Sequence, residues 1–89
     1  MAEIELLIRN QLGLHARPAA QIVRLANSFD SEIWLEKDGM AVNGKSIMGV
    51  MMLAAEAGST IVVKTVGADE QEALVAIRAL VDGKFEGEP

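Results

Sequence analysis

Apolar and charged residues alternate from Glu3 to Ile8, with Ile4, Leu6 and Ile8 on one face and Glu3 and Glu5 on the other, the period-two pattern of a half-buried strand. After a loop over residues 9–14 the period changes. Ala19, Ile22, Val23 and Ala26 stand at i, i+3, i+4 and i+7, which predicts an amphipathic helix starting at Ala16, with Arg17, Gln21 and Arg24 on its opposite face. Alternation returns over Glu32–Lys37, with Ile33 and Leu35 inward. Asp38-Gly39 then supplies the residue types of a type I′ hairpin turn leading into a third strand, Met40–Asn43. Asn43-Gly44-Lys45 breaks that strand, and Ser46 is a suitable N-cap for a short helix over Ile47–Leu53, with Gly58 as its terminator. The β-branched run Thr60–Val66 predicts a fourth strand. Asp69-Glu70-Gln71-Glu72 place an acidic cap and first-turn carboxylates at the head of a third helix with Leu74, Ile77 and Val81 inward. Residues 83–89 carry no period and end in acidic and breaker residues, so a frayed tail is expected.

The order βαββαβα, with a right-handed crossover leaving room for strand four beside strand one, predicts an α/β (α+β) open-faced sandwich. Its four-stranded antiparallel sheet has the order 1-4-2-3, with three helices on one face. Residues 1–84 form the domain and residues 85–89 a flexible C-terminal tail. With 89 residues, 51% of them hydrophobic, the chain can fill one core but not two. A domain this small buries only a little over roughly 60% of its unfolded surface, which places any site at the surface. Trp34 points opposite to Ile33 and Leu35, toward the helix-free face, where surface packing is its expected role. Met48, Met51 and Met52 are more than a short helix can bury. Some are expected to be exposed, and at least one of Met51 and Met52 is expected in the core.

The chain has no cysteine and a single histidine, which excludes disulfides and thiol nucleophiles and leaves little for a transition metal, so neither a metal site nor a cofactor is expected. A net charge of -5 argues against nucleic acid as a partner. The longest apolar run, Ile47 to Ala55, is far too short for a bilayer, and the N-terminus has no signal-like apolar region, so the expected location is cytoplasmic, without membrane insertion.

The candidate chemistry lies in Gly13-Leu14-His15-Ala16-Arg17-Pro18. His15 stands where a loop enters a helix, and Pro18 is tolerated because first-turn positions need no N–H partner. The free N–H groups of Ala16 and Arg17, the helix dipole and the Arg17 guanidinium together suit a dianionic phosphoryl group beside the imidazole. These residues support a phosphate-binding histidine as readily as an ordinary loop histidine beside a solvated arginine, and they go no further.

The segment from Gly13 to Ala20, together with Lys45-Ser46-Ile47-Met48-Gly49-Val50-Met51, resembles the histidine-containing phosphocarrier (HPr) family of the bacterial phosphoenolpyruvate-dependent phosphotransferase system. The resemblance covers residues 1 to about 84 and implies the same open-faced sandwich. It implies that His15 is phosphorylated on Nδ1 by enzyme I and passes the group to enzyme II A domains of sugar permeases, with Arg17 steadying it. Such a chain is a monomeric carrier with a transient phosphohistidine and no small-molecule turnover of its own. Ile47, Met48 and Met51, flanked by Ala20 and Arg24, would form the docking patch for partners. The resemblance also implies a regulatory phosphorylation site at Ser46, as in some relatives, where an HPr kinase/phosphorylase installs the phosphate and the modified form is a corepressor for a catabolite regulator; as residues alone go, Ser46 is equally a plain helix cap. A nitrogen-branch regulatory carrier is the alternative within the family, because Ala79 to Glu88 looks somewhat like that branch. Outside it stand a small phosphatase, which would need a general acid near His15, and a noncatalytic interaction module.

Overall fold

The computed structural model describes all residues, 1–89. Four strands, β1 (Ala2–Leu7), β2 (Glu32–Lys37), β3 (Met40–Asn43) and β4 (Thr60–Val66), form one antiparallel sheet in the order β1-β4-β2-β3. The helices are α1 (Ala16–Ala26), α2 (Ile47–Met52) and α3 (Glu70–Asp82), followed by a short turn, α4 (Lys84–Gly87). This is the open-faced sandwich expected from the element order, with the helices on one face.

Pairing Ile4 with Val63, Leu6 with Ile61 and Leu35 with Val63 puts like residues on like faces. The core then forms from Leu6, Ile8, Ile33, Leu35, Ile61 and Val63 of the sheet side, packed against Ala19, Ile22 and Ala26 of α1 and Ala73, Ile77 and Val81 of α3. The first strand starts and ends one residue earlier than its alternation suggests, but its inward face is the expected one. In the β2–β3 hairpin Asp38 and Gly39 have φ of 51° and 82°, the two left-handed residues that a type I′ turn requires. Trp34 is on the open face, partly exposed, and its indole N–H donates to Glu32 at 3.2 Å.

Four expectations need correction. The second helix ends well before Gly58: it stops at Met52, and the left-handed residue beyond its cap is Ala54 (φ 52°), while Gly58 (φ 87°) serves the turn into β4. Neither Met51 nor Met52 is core; Val50 and Leu53 fill that place, and all three methionines of the segment are exposed. Asp69 precedes α3 but makes no side-chain cap bond to it. Its carboxylate instead accepts from the Ser31 hydroxyl and from the N–H groups of Asp30 and Ser31, tying the helix start to the approach to β2. These donors, the Ser31 hydroxyl first, hold the Asp69 carboxyl below the usual range.

The C-terminal residues lie packed against the domain. Lys84, Phe85 and Glu86 take left-handed φ of 53°, 54° and 59°, which kinks the chain after α3, and the Phe85 ring lies fully in the core. In the structure residues 85–89 are instead docked on the domain, with Phe85 part of its core. One large apolar side chain anchors the segment, and its end reaches the loop before α1, as described below.

Candidate functional site

The approach to α1 is fixed from three sides. Gly13 has φ of 65°, and a Cβ there would lie 2.7 Å from the Glu56 Cα, so only glycine lets this loop pass so close to the segment after α2. Leu14 is buried in the core, and its N–H donates to the Ala55 carbonyl at 2.8 Å. Asn10, itself buried, donates from Nδ2 to the Gly13 carbonyl at 2.6 Å. With both preceding residues held, His15 has little freedom in where it starts the helix.

His15 is the N-cap residue of α1, with extended backbone (φ -76°, ψ -173°) and no capping bond from its ring. Its carbonyl takes the first intrahelical bond, from Ala19 at 3.0 Å. Ala16 and Arg17 are exposed and, as first-turn residues, their N–H groups have no intrahelical acceptor; Pro18, buried, has no N–H to satisfy. No acidic residue lies in the first turn. The ring is half-buried, and Nε2 is closed off without a hydrogen-bond partner, which leaves Nδ1 as the nitrogen that can meet another group. The arrangement offers a nucleophilic nitrogen beside unpaired backbone donors and a positive helix end, which suits an anion of tetrahedral shape.

Arg17 is where the sequence places it, but it is not idle. Its Nε pairs with Oε1 of Glu88 at 3.1 Å. Glu88 was absent from the expected site, and so was Asn10, whose amide also donates to the Pro89 carbonyl at 3.0 Å. The Leu12 N–H donates to that same carbonyl at 2.9 Å. The chain end is thus seated against the loop that leads to His15.

The other predicted residues fall on two neighbouring helices. On α1, Ala20 is half-buried and Arg24 exposed; on α2, Ile47, Met48 and Met51 are exposed, as is Met52 beside them. Leu12, in the loop before His15, adds another exposed apolar side chain. Ties between the helices are polar: Lys45 Nζ donates to the Phe29 carbonyl at 2.7 Å, and Asn27 Nδ2 to the Lys45 carbonyl at 3.2 Å. Ser46 caps α2, its hydroxyl accepting from the Gly49 N–H at 3.2 Å. No cluster of three or more His, Asp or Glu side chains is placed to hold a metal ion, and no helix is long and apolar enough to cross a membrane.

Comparison with known proteins gives a consistent result. The family described as the PTS HPr component phosphorylation site matches residues 2–82. The phosphocarrier protein HPr of Cupriavidus necator is 49% identical over 89 residues, covering 99% of this chain and 100% of that one. The HPr-like protein Crh of Bacillus subtilis is 48% identical over 81 residues, covering 91% and 95%. A crystal structure of HPr from Thermoanaerobacter tengcongensis superposes with a TM-score of 0.96 at 46% identity, with both chains fully covered.

Proposed function

The chain belongs to the HPr family of phosphocarrier proteins of the phosphotransferase system, and on that premise we propose that His15 accepts a phosphoryl group on Nδ1 from enzyme I and delivers it to enzyme II A domains in the cytoplasm. The observation that carries this reading is the His15 ring itself: fixed at the N-terminus of a helix with no acidic residue in its own first turn, with Nε2 shut away. In the transfer, the Nδ1 lone pair attacks phosphorus. The bond from phosphorus to the donor breaks as the bond to Nδ1 forms, and the donor atom departs with its electron pair. The same exchange in reverse order, onto an acceptor, restores the free imidazole.

The Ala16 and Arg17 N–H groups and the Arg17 guanidinium stabilise the phosphoryl oxygens through charge-assisted hydrogen bonds. Ala20, Arg24, Ile47, Met48 and Met51 supply a mixed basic and apolar docking surface, on which flexible methionines adapt to different partners. Ser46 is the regulatory position. A phosphate there would sit at the start of α2, where the helix tolerates negative charge, and would act by placing that charge among the docking residues, as an HPr kinase/phosphorylase would arrange. The experiment that tests the acceptor is incubation with enzyme I and phosphoenolpyruvate: the protein gains one acid-labile phosphoryl group, and His15→Ala gains none. Label retained by that variant refutes the assignment.

A further inference from the structure

Three thioethers stand together on the outer side of α2. Met48, Met51 and Met52 occupy positions i, i+3 and i+4 of the helix, which puts them on one face, and they are 73%, 43% and 67% exposed. None of them is needed to hold the helix down. Val50 and Leu53 are its core residues, and the Ser46 hydroxyl closes its first turn by accepting from the Gly49 N–H. The exposed Ile47 stands beside the methionines, and α2 packs against α1, which carries Ala20 and Arg24.

Oxidation turns a thioether from a flexible apolar group into a polar one, and the change is reversible. With hydrogen peroxide, a sulfur lone pair attacks one oxygen, the O–O bond breaks as the S–O bond forms, and the departing hydroxide takes the proton of the oxygen that stays on sulfur. Sulfur loses two electrons, the peroxide gains them, and water is released. The chain has no cysteine, so no thiol within it competes for the oxidant and none can reduce the sulfoxide afterwards. Reversal needs an external sulfoxide reductase and a dithiol, which return the thioether, a disulfide and water. Because these three side chains lie outside the core, their oxidation leaves the fold in place, and its consequence falls on whatever meets the face.

Resting on the docking surface proposed above, we propose that Met48, Met51 and Met52 form a reversible oxidation site for peroxides, and that sulfoxides there close the surface to partners while His15 keeps its chemistry. A partner that covers this face must strip water from each sulfoxide oxygen with no donor placed to replace it, so an apolar contact becomes an unpaired polar group. Phosphoryl transfer then suffers at docking and not at the bond-making step. The kinetic signature is a higher KM for this protein as the substrate of enzyme I, with kcat nearly unchanged.

The test treats the protein with hydrogen peroxide, locates the added oxygens by peptide mass spectrometry, and measures KM and kcat for phosphorylation of His15 by enzyme I. Met1 and Met40 are exposed but lie outside α2, so they gain oxygen as internal controls. In the oxidised wild type KM rises roughly five- to twentyfold and kcat stays within about twofold, the effect of leaving about one polar group unpaired at an interface. Its melting temperature stays within about 4 °C of the untreated protein, as for a surface change. The two epimer-specific sulfoxide reductases with a dithiol restore KM. Met40→Leu keeps the full peroxide effect, and Met48→Leu/Met51→Leu/Met52→Leu, compared with its own untreated sample, loses it. Four results overturn the inference while the carrier reading stands: no oxygen on the three α2 methionines where Met1 and Met40 are oxidised, an unchanged KM with all three oxidised, a peroxide effect that persists in the triple variant, or loss of the melting transition on oxidation. Absence of any phosphorylation in the untreated protein overturns both.

Discussion

Phe85→Ala probes the one segment that sequence and structure describe in opposite ways. The ring is completely buried within a core of 18 residues, and replacing a phenylalanine so placed by alanine costs about 3–5 kcal/mol when the surroundings hold their shape. Here the segment has an escape. Once the anchor is gone, residues 84–89 can undock, which relieves left-handed backbone worth about 1 kcal/mol or more at each of Lys84, Phe85 and Glu86. Undocking also gives up the two hydrogen bonds to Pro89, worth about 0.5–1.5 kcal/mol each, so the loss should fall below the full cavity value, at about 2–3 kcal/mol, equivalent to a fall in melting temperature of roughly 10–20 °C for a domain of this size. Urea unfolding followed through Trp34, the single tryptophan, measures it, and hydrogen exchange of the Leu12 amide reports whether its bond to Pro89 has opened. A companion change works in the other direction. Glu86→Gly removes a Cβ from a left-handed, exposed position and should stabilise the wild type by about 0.5–1 kcal/mol after the extra freedom it gives the unfolded chain is subtracted. In the Phe85→Ala background that gain should vanish, because an undocked segment is no longer strained. A loss below about 0.5 kcal/mol for Phe85→Ala, with Leu12 exchange unchanged, would refute the reasoning and return residues 84–89 to a frayed tail.

Two further outcomes follow from the polar contacts. Ser46→Asp keeps a good N-cap on α2, so stability should stay within about 0.5 kcal/mol of wild type while enzyme I phosphorylates His15 several-fold more slowly; wild-type rates would reduce Ser46 to a cap. The Asp69 carboxyl is depressed below its ordinary value of 3.8, so the stability it contributes is present above that value and is lost as pH falls through the depressed one. Urea midpoints of wild type and Asp69→Asn, measured from neutral pH down into that range, should converge on acidification; a difference that stays constant would show that the charge of Asp69 contributes nothing.

Most of the fold was legible because local signals and tertiary needs agree. The alternation in β1 and β2, the Asp38-Gly39 turn and the stripe along α1 each point to the face that is buried. The failures share a cause. Asp69 looks like a helix cap by its neighbours, yet its partners Asp30 and Ser31 lie far off in the chain, and the same residue type serves both uses. In α2, Val50 and Leu53 form one possible inward stripe and Met48, Met51 and Met52 another of similar hydrophobicity, so periodicity over six residues could not choose between them. Ala54 ends that helix in a conformation that normally announces itself through glycine. The tail has a single apolar residue, and one residue has no period; the breaker-rich run around Phe85 resembles disorder until a partner 79 positions away, Asn10, is seen against Pro89. At the site, His15 and Arg17 were visible from a six-residue motif, whereas Asn10 and Glu88 enter through contacts that no local pattern records.

The most direct test of the carrier account follows the phosphoryl group after it has been accepted. Phosphorylated protein, freed of enzyme I and phosphoenolpyruvate, is mixed with an enzyme II A domain or left alone, and the label is followed over time. A carrier moves the group to the A domain and regains a free His15 there, while the sample without acceptor keeps its label and releases little inorganic phosphate. Release of inorganic phosphate without an acceptor, at a rate matching its uptake, would identify a phosphatase and contradict the account.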